Sequence, residues 1–208
     1  MENNIDYGLY LVTDESLPLT LLEEKIIGAM KGGASIIQLR EKESTSKEFI
    51  NKAKRLKAIL SETSIPLIIN DRLDIALLVE ADGIHLGQDD LPAREVKKIL
   101  PAKMILGVSV HSVQEALQAE RDGADYIGVG SVFKTSSKPD ATPISFDEVV
   151  AIKKSVSIPV VGIGGITEEN VDLIKELGID GVAIVSAIMK KEDTKKATEQ
   201  LKRKLTWL

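Results

Sequence analysis

Short, continuously apolar runs recur along the chain, each followed by a stretch with a helix-like spacing of apolar positions. The first strand is expected over 9–12, followed by a helix over 19–31 that stops at Gly32-Gly33. The second strand, 35–39, leads into an amphipathic helix over 46–60 with Phe49, Ala53, Leu56 and Leu60 on one face. Strands over 66–69, 83–86 and 105–109 precede helices near 74–79, 93–100 and 113–121. A sixth strand, 126–130, opens into the longest polar connection of the chain, 131–143, whose length suggests a binding loop or lid. A helix over 146–155 returns the chain to two further apolar runs, 158–166 and 180–187, and helices are expected after them over 167–177 and 187–204.

Runs this short, rich in β-branched residues and apolar on both faces suit a parallel sheet covered on each side. About eight strand-then-helix units without a linker make a single-domain (β/α)8 TIM barrel over 1–208 the expected fold. An open, doubly wound sheet has the same strand pattern. The barrel is favoured because polar residues stand at the end of nearly every strand, and closure gathers those ends at one mouth.

The last two runs break into small residues, Gly164-Gly165 and Val185-Ser186, just where helices begin. Strand, glycine or serine, helix start is an arrangement that points backbone N–H groups at an anion, and barrels often hold phosphate at their seventh and eighth loops. A tight turn accounts for the glycine pair alone.

Composition narrows the class. With 208 residues, 43% hydrophobic and 28% charged, the chain is an ordinary soluble globular sequence, and no apolar run approaches the ~20 residues that span a bilayer. The first residues show no secretion signal, and the absence of cysteine excludes disulfides and thiolate chemistry, so cytoplasmic residence is expected. A net charge of −5 argues against nucleic acid or a membrane surface as partner.

Collected at the expected mouth are Gln38, Arg40, Lys42, Asn70, Asp71, Asp89, Asp90, Ser109, Thr135, Ser137 and Lys138. Asp71 and Asp90, from neighbouring loops, suit a hard divalent cation such as Mg²⁺. Arg40, Lys42 and Lys138 would meet the charge of a diphosphate. Each has a plainer reading: an Asp after a strand is commonly a helix cap, and lysines in polar loops are commonly solvated. His85 reads as a packed, hydrogen-bonded histidine. His111 reads as helix entry or a site residue. Nothing has Ser-His-Asp or metal-histidine spacing.

Several ordered motifs carry a resemblance that runs over essentially the whole chain: Gln38-Leu39-Arg40-Glu41-Lys42, Asn70-Asp71-Arg72, His85-Leu86-Gly87-Gln88-Asp89-Asp90 and Gly128-Val129-Gly130-Ser131-Val132-Phe133, then 159–166 and Val185-Ser186-Ala187-Ile188. With them the sequence resembles the thiamine-phosphate synthases. The resemblance implies a transferase that joins hydroxymethylpyrimidine diphosphate to hydroxyethylthiazole phosphate with release of pyrophosphate. It implies that Gln38, Leu39, Arg40, Glu41, Lys42, Asn70, Ser109 and Lys138 hold the pyrimidine diphosphate, with Lys138, Arg40 and Asn70 as catalytic groups, and that Asp71 and Asp90 bind Mg²⁺. Thr135, Ser136, Ser137, Gly165, Val185 and Ser186 would hold the thiazole phosphate. The family's loop is usually Pro-Thr-X-Thr-Lys; here Lys134 replaces the proline and Ser137 keeps the threonine's hydroxyl. Partners are then small molecules, and exposed barrel helices allow a homodimer. A thiazole tautomerase needs the thiazole clamp but no diphosphate site, so Asn70, Asp71, Asp90 and Lys138 speak against it; a catalytically silent binding relative is the alternative of another class.

Overall fold

The structure, a computed structural model, describes residues 5–135 and 142–206. Eight parallel strands form a closed barrel in which each pairs with its sequence neighbours. They are β1 (Leu9–Val12), β2 (Ile36–Leu39), β3 (Leu67–Asn70), β4 (Gly83–Leu86), β5 (Ile105–Val110), β6 (Tyr126–Val129), β7 (Val160–Ile163) and β8 (Gly181–Ile184). Closure is made by β8 beside β1, with Leu9 opposite Val182 and Leu11 opposite Ile184. The helices α1 (Leu19–Gly32), α2 (Ser46–Leu60), α3 (Leu73–Leu78), α4 (Ala93–Ile99), α5 (Val113–Arg121) and α6 (Phe146–Ser155) surround it. The expected barrel is therefore the observed one.

Strand residues alternate between two cores. Leu9, Leu11, Ile37, Leu39, Ile69, Leu106, Ile127 and Ile184 face the helices in one large apolar layer. Tyr10, Ile36, Ile68, Ile105, Tyr126 and Val161 point to the barrel axis and fill it. On α2 the buried face is Phe49, Ala53, Leu56 and Leu60, and the helix starts in a capping box between Thr45 and Glu48. Helix α1 ends at Gly33, whose φ of 100° is the left-handed conformation a glycine terminator supplies.

Two helices differ from expectation. The segment after β7 is a 3-10 helix, Val171–Leu177, with Val171, Ile174 and Leu177 buried. That spacing of three is the 3-10 period, and it lays all three residues on the core side. The long helix expected over 187–204 is two helices, α7 (Ser186–Met189) and α8 (Thr194–Lys204). Asp193 accepts from the backbone N–H of Lys196 at 2.9 Å and starts the second one afresh. At the chain's end Leu205 is buried in the outer core, so the apolar tip begins by docking on the barrel. Trp207 and Leu208 lie outside the described residues.

The end of the barrel opposite the mouth is held by a repeated device. The residue just ahead of each even-numbered strand reaches back to the preceding strand's start. Its own N–H donates to a carbonyl there, and its side chain accepts from the same residue's N–H. Ser35 does this to Leu9 (2.8 and 3.1 Å) and Asp82 to Leu67 (2.9 and 2.9 Å). Asp125 does it to Leu106 (2.7 and 2.7 Å), and Asp180 to Val160 (2.8 and 2.7 Å). The three aspartates also pair with Lys57 of α2, Lys97 of α4 and Lys153 of α6, at 3.2, 3.1 and 2.6 Å. The ion pairs are exposed and add little; the backbone bonds matter because they satisfy buried N–H groups.

Replacing Asp125 by alanine leaves the Leu106 N–H without its acceptor. This should cost about 1–2 kcal/mol and lower the melting midpoint by a few degrees, with kcat unchanged. Calorimetry beside steady-state kinetics checks both halves.

Candidate active site

A cavity of about 310 Å³ opens at the carboxyl ends of the strands. Side chains from β2 to β5 line one half of it, and the loops after β6, β7 and β8 line the other. Alternation along β2 and beyond decides which residues of Gln38-Leu39-Arg40-Glu41-Lys42 take part. Gln38, Arg40 and Lys42 line the cavity. Leu39 belongs to the outer apolar core. Glu41 turns away beneath the loop, where it pairs with Lys52 of α2 at 2.8 Å and accepts from the Ser44 hydroxyl. Of the five consecutive residues expected to hold the ligand, Leu39 and Glu41 turn their side chains to the helix side, as the period-two strand geometry dictates. Glu41 instead anchors the loop that carries Arg40 and Lys42. The Arg40 guanidinium has no ion pair or hydrogen bond among the described residues, which leaves its donors for an anion.

Next along the barrel, the buried Asn70 ends β3 and its side-chain amide makes no hydrogen bond among the described residues. Asp71 follows with φ of 60°, a left-handed turn that aspartate tolerates better than most residues. Its N–H donates to the His85 carbonyl at 2.8 Å, locking the turn to β4 and placing its carboxyl at the mouth. Asp90 accepts from the Gly87 N–H at 2.7 Å. The Asp71 and Asp90 carboxyls line the same cavity and act on each other. Burial first, then Asp90, raise the Asp71 pKa above the usual carboxylate range, while an ion pair with Lys42 works against the rise. Two carboxyls pressed together suit a hard cation, since Mg²⁺ typically takes one or two and fills its remaining positions with water and substrate phosphate oxygens. Among the described residues no three acidic or histidine side chains cluster, so such an ion would depend on oxygens from elsewhere.

Below this rim lies a polar floor. His85 bonds through Nε2 to the Ser109 hydroxyl at 2.9 Å and through Nδ1 to the Tyr126 hydroxyl at 2.8 Å. Burial lowers the imidazole pKa to about 4, so the ring is neutral at pH 7. His111 is exposed beside the cavity and meets Glu115 at 3.3 Å.

The opposite half is mostly backbone. Gly164 (φ 102°) and Gly165 (φ 64°) cross close to the loop after β6. A Cβ on Gly164 would strike Ser131, and one on Gly165 would strike Phe133 and the Lys134 carbonyl. Val132 and Phe133 donate to Ile163 and Gly164 at 2.9 and 3.0 Å, continuing the β6–β7 pairing past the strands. The glycine pair therefore answers a packing demand first. It also leaves the Gly165 N–H without an acceptor among the described residues, as is the Ser186 N–H at the start of α7. Thr135, Gly165, Val185 and Ser186 all line the cavity. Ser136, Ser137 and Lys138 lie outside the described residues.

Comparison with known proteins settles the relationship. Residues 9–188 match the family model described as thiamine monophosphate synthase. The chain belongs to the thiamine monophosphate synthase family. A thiamine-phosphate synthase of Alkaliphilus oremlandii is 52% identical over 205 residues, covering 96% of each chain. Another of Clostridium tetani is 52% identical over 199 residues, covering 95% of each. Among solved structures, a thiamine phosphate pyrophosphorylase from Pyrococcus furiosus superposes with a TM-score of 0.88 at 42% identity, covering 97% of this chain and 96% of that one.

Within this thiamine monophosphate synthase family member, the residues that sequence reasoning passed over are mainly those under the floor. Tyr10 and Tyr126 were hidden in apolar strands, although a phenol hydroxyl inside a barrel must find a partner. Gln88 donates to the Ser109 carbonyl at 2.6 Å, and Thr13 accepts from the Arg40 N–H at 3.0 Å.

Glu41→Ala should destabilise the protein by about 3 kcal/mol, because it strands the Lys52 ammonium where the Glu41 carboxylate was buried. Pairing it with Lys52→Met should recover much of that loss. Urea unfolding of the two single variants and the double variant measures the coupling.

Proposed function

We propose that this chain condenses hydroxymethylpyrimidine diphosphate with hydroxyethylthiazole phosphate to give thiamine phosphate and pyrophosphate. Family membership across most of the chain supports the activity. The observation that carries the reading of the site is its division: a carboxyl pair with basic side chains at β2 to β4 faces bare backbone N–H groups after β7 and β8. The first half suits a metal-bound diphosphate and the second a phosphate monoester. Residues 1–208 act as one catalytic domain, since both halves belong to one barrel.

In this reading Arg40, Lys42 and Asn70 bind the diphosphate, with Gln38 and Ser109 toward the pyrimidine. Gly165, Val185 and Ser186, with Thr135, Ser136 and Ser137, hold the thiazole phosphate. Asp71 and Asp90 would hold Mg²⁺, which when bound offsets negative charge on the departing pyrophosphate. Lys42, paired with Asp71 in this structure, is then released to the diphosphate. The bond between the pyrimidine methylene and the diphosphate oxygen breaks with its electron pair going to pyrophosphate. The aminopyrimidine ring spreads the positive charge left behind, and the thiazole nitrogen lone pair forms the new C–N bond. Such a step needs no side-chain nucleophile; the side chains orient two substrates and absorb charge. Lys138 is assigned to the leaving group by its place in the family's loop pattern. No helix among the described residues is long and apolar enough to cross a membrane, and the reading places the enzyme in the cytoplasm, with a homodimer open.

Mixing both substrates with Mg²⁺ should release pyrophosphate, and omitting either the thiazole phosphate or the metal should abolish the release. Pyrophosphate formed from the pyrimidine diphosphate alone at the same rate would overturn the condensation. Lys138→Ala should lower kcat by roughly a hundredfold while changing the KM for thiazole phosphate little. Equal losses in both would remove Lys138 from the leaving-group role.

A further inference from the structure

Five polar side chains from five strands form a continuous row beneath the cavity. The Gln38 amide nitrogen donates to the Tyr10 hydroxyl at 2.8 Å. The Tyr10 and Tyr126 hydroxyls meet at 2.8 Å, Tyr126 meets His85 Nδ1 at 2.8 Å, and His85 Nε2 meets the Ser109 hydroxyl at 2.9 Å. The row has room because Gly107 and Gly128 stand beside it: a Cβ on Gly107 would collide with the Tyr126 ring, and one on Gly128 would press on His85 at 3.2 Å. Burial raises the pKa of both phenols, so each keeps its single proton, and the two ring nitrogens of His85 each face a hydroxyl.

Four links and one proton per group leave two arrangements in which every link is made and no buried proton is wasted. Either all protons point toward Ser109, or all point toward Gln38. Any mixture strands a buried phenol proton without an acceptor, which is costly in a low-dielectric interior. The Gln38 end decides between them. Its Nε2–H group can only donate, so Tyr10 must pass its proton to Tyr126, Tyr126 to His85 Nδ1, and His85 Nε2–H to Ser109.

We propose that Tyr10, Tyr126 and His85 are positioning residues that hold His85 as the Nε2–H tautomer and so present the Ser109 hydroxyl to the ligand as a donor, with the Gln38 side-chain amide oxygen Oε1 left as an acceptor. The ligand atom against Ser109 must then carry a lone pair, and the atom against the Gln38 oxygen must carry a proton. This deepens the synthase reading and rests on it for the identity of the ligand: an aminopyrimidine carries ring nitrogens that accept and an amino group that donates. A row of the opposite polarity would reverse both demands.

The row itself is tested without substrate. His85 and His111 are the only histidines of the chain, so long-range ¹H–¹⁵N NMR of the ligand-free protein at pH 7 resolves both rings, with His111→Asn assigning them. We expect a pyridine-like Nδ1 and a pyrrole-like Nε2 for His85. In Tyr126→Phe, which removes only the hydroxyl, the His85 Nδ1 resonance should move to the position of a pyridine-like nitrogen that accepts no hydrogen bond, and Ser109 loses the row that fixes its sense. KM for the pyrimidine diphosphate should then rise about tenfold, a change equivalent to about one hydrogen bond, while KM for thiazole phosphate holds. Tyr10→Phe should produce the same changes more weakly and serves if the first variant does not fold. A wild-type His85 protonated at Nδ1, or a His85 spectrum indifferent to both substitutions, overturns the proposal. A failed synthase reading shows separately, as no turnover by the unsubstituted protein with the tautomer intact.

Discussion

Closing eight short strands on one another forces every second side chain toward the barrel axis, and this alternation sets the rest of the structure. On the helix side the strand residues enter a large apolar layer. On the axis side each polar group must either reach the mouth or find a partner within the barrel, because water does not compete there. β2 shows the rule in consecutive residues: Ile36 inside, Ile37 outside, Gln38 inside, Leu39 outside, with Arg40 and Glu41 continuing past its end. Tyr10 and Tyr126 obey the same constraint through their shared hydroxyl contact at 2.8 Å, and the Tyr7 and Tyr10 rings pack tilted against Tyr126, at 5.0 and 5.9 Å between ring centres.

Strand and helix order was legible because it is written in local periodicity. The α2 face and the terminating Gly32-Gly33 needed no tertiary information. The 3-10 helix was also legible in principle, since Val171, Ile174 and Leu177 recur every third residue, a period easily mistaken for an α-helix over so short a run. The break between α7 and α8 was signalled by Lys190-Lys191-Glu192-Asp193, four charged residues ending in a good N-cap. What could not be read locally were the clamps. Asp82, Asp125 and Asp180 look like ordinary loop acids, and their partners are strand N–H groups 15 to 20 residues earlier.

The site was legible in a different way. Polar residues at strand ends pointed to one mouth, and the structure brings Gln38, Arg40, Lys42, Asn70, Asp71, Asp90 and Ser109 to one cavity. Reading Gln38 to Lys42 as a block lost the alternation, and with it the anchoring role of Glu41. The glycine pair carried two messages at once. Its positive φ angles and its contacts with Ser131 and Phe133 are demands of packing, and the bare N–H groups follow from the same geometry. A residue that must be glycine for the fold is thereby free to serve the ligand.

The polar floor links the two ends of this division of labour. A carboxyl pair and loose cations suit a ligand whose charge changes during reaction, because lysine and arginine side chains can follow the charge. Recognition of a neutral ring needs the reverse property: donors and acceptors whose sense does not adapt to the wrong partner. A lone serine hydroxyl rotates and accepts or donates as required. Tied to a neutral imidazole, which is tied to two buried phenols and an amide, it loses that freedom, and changing its sense requires reversing every proton in the row. Such a row explains why a barrel with so few aromatic residues places two tyrosines and a histidine on its axis, where apolar side chains would pack as well and need no partners.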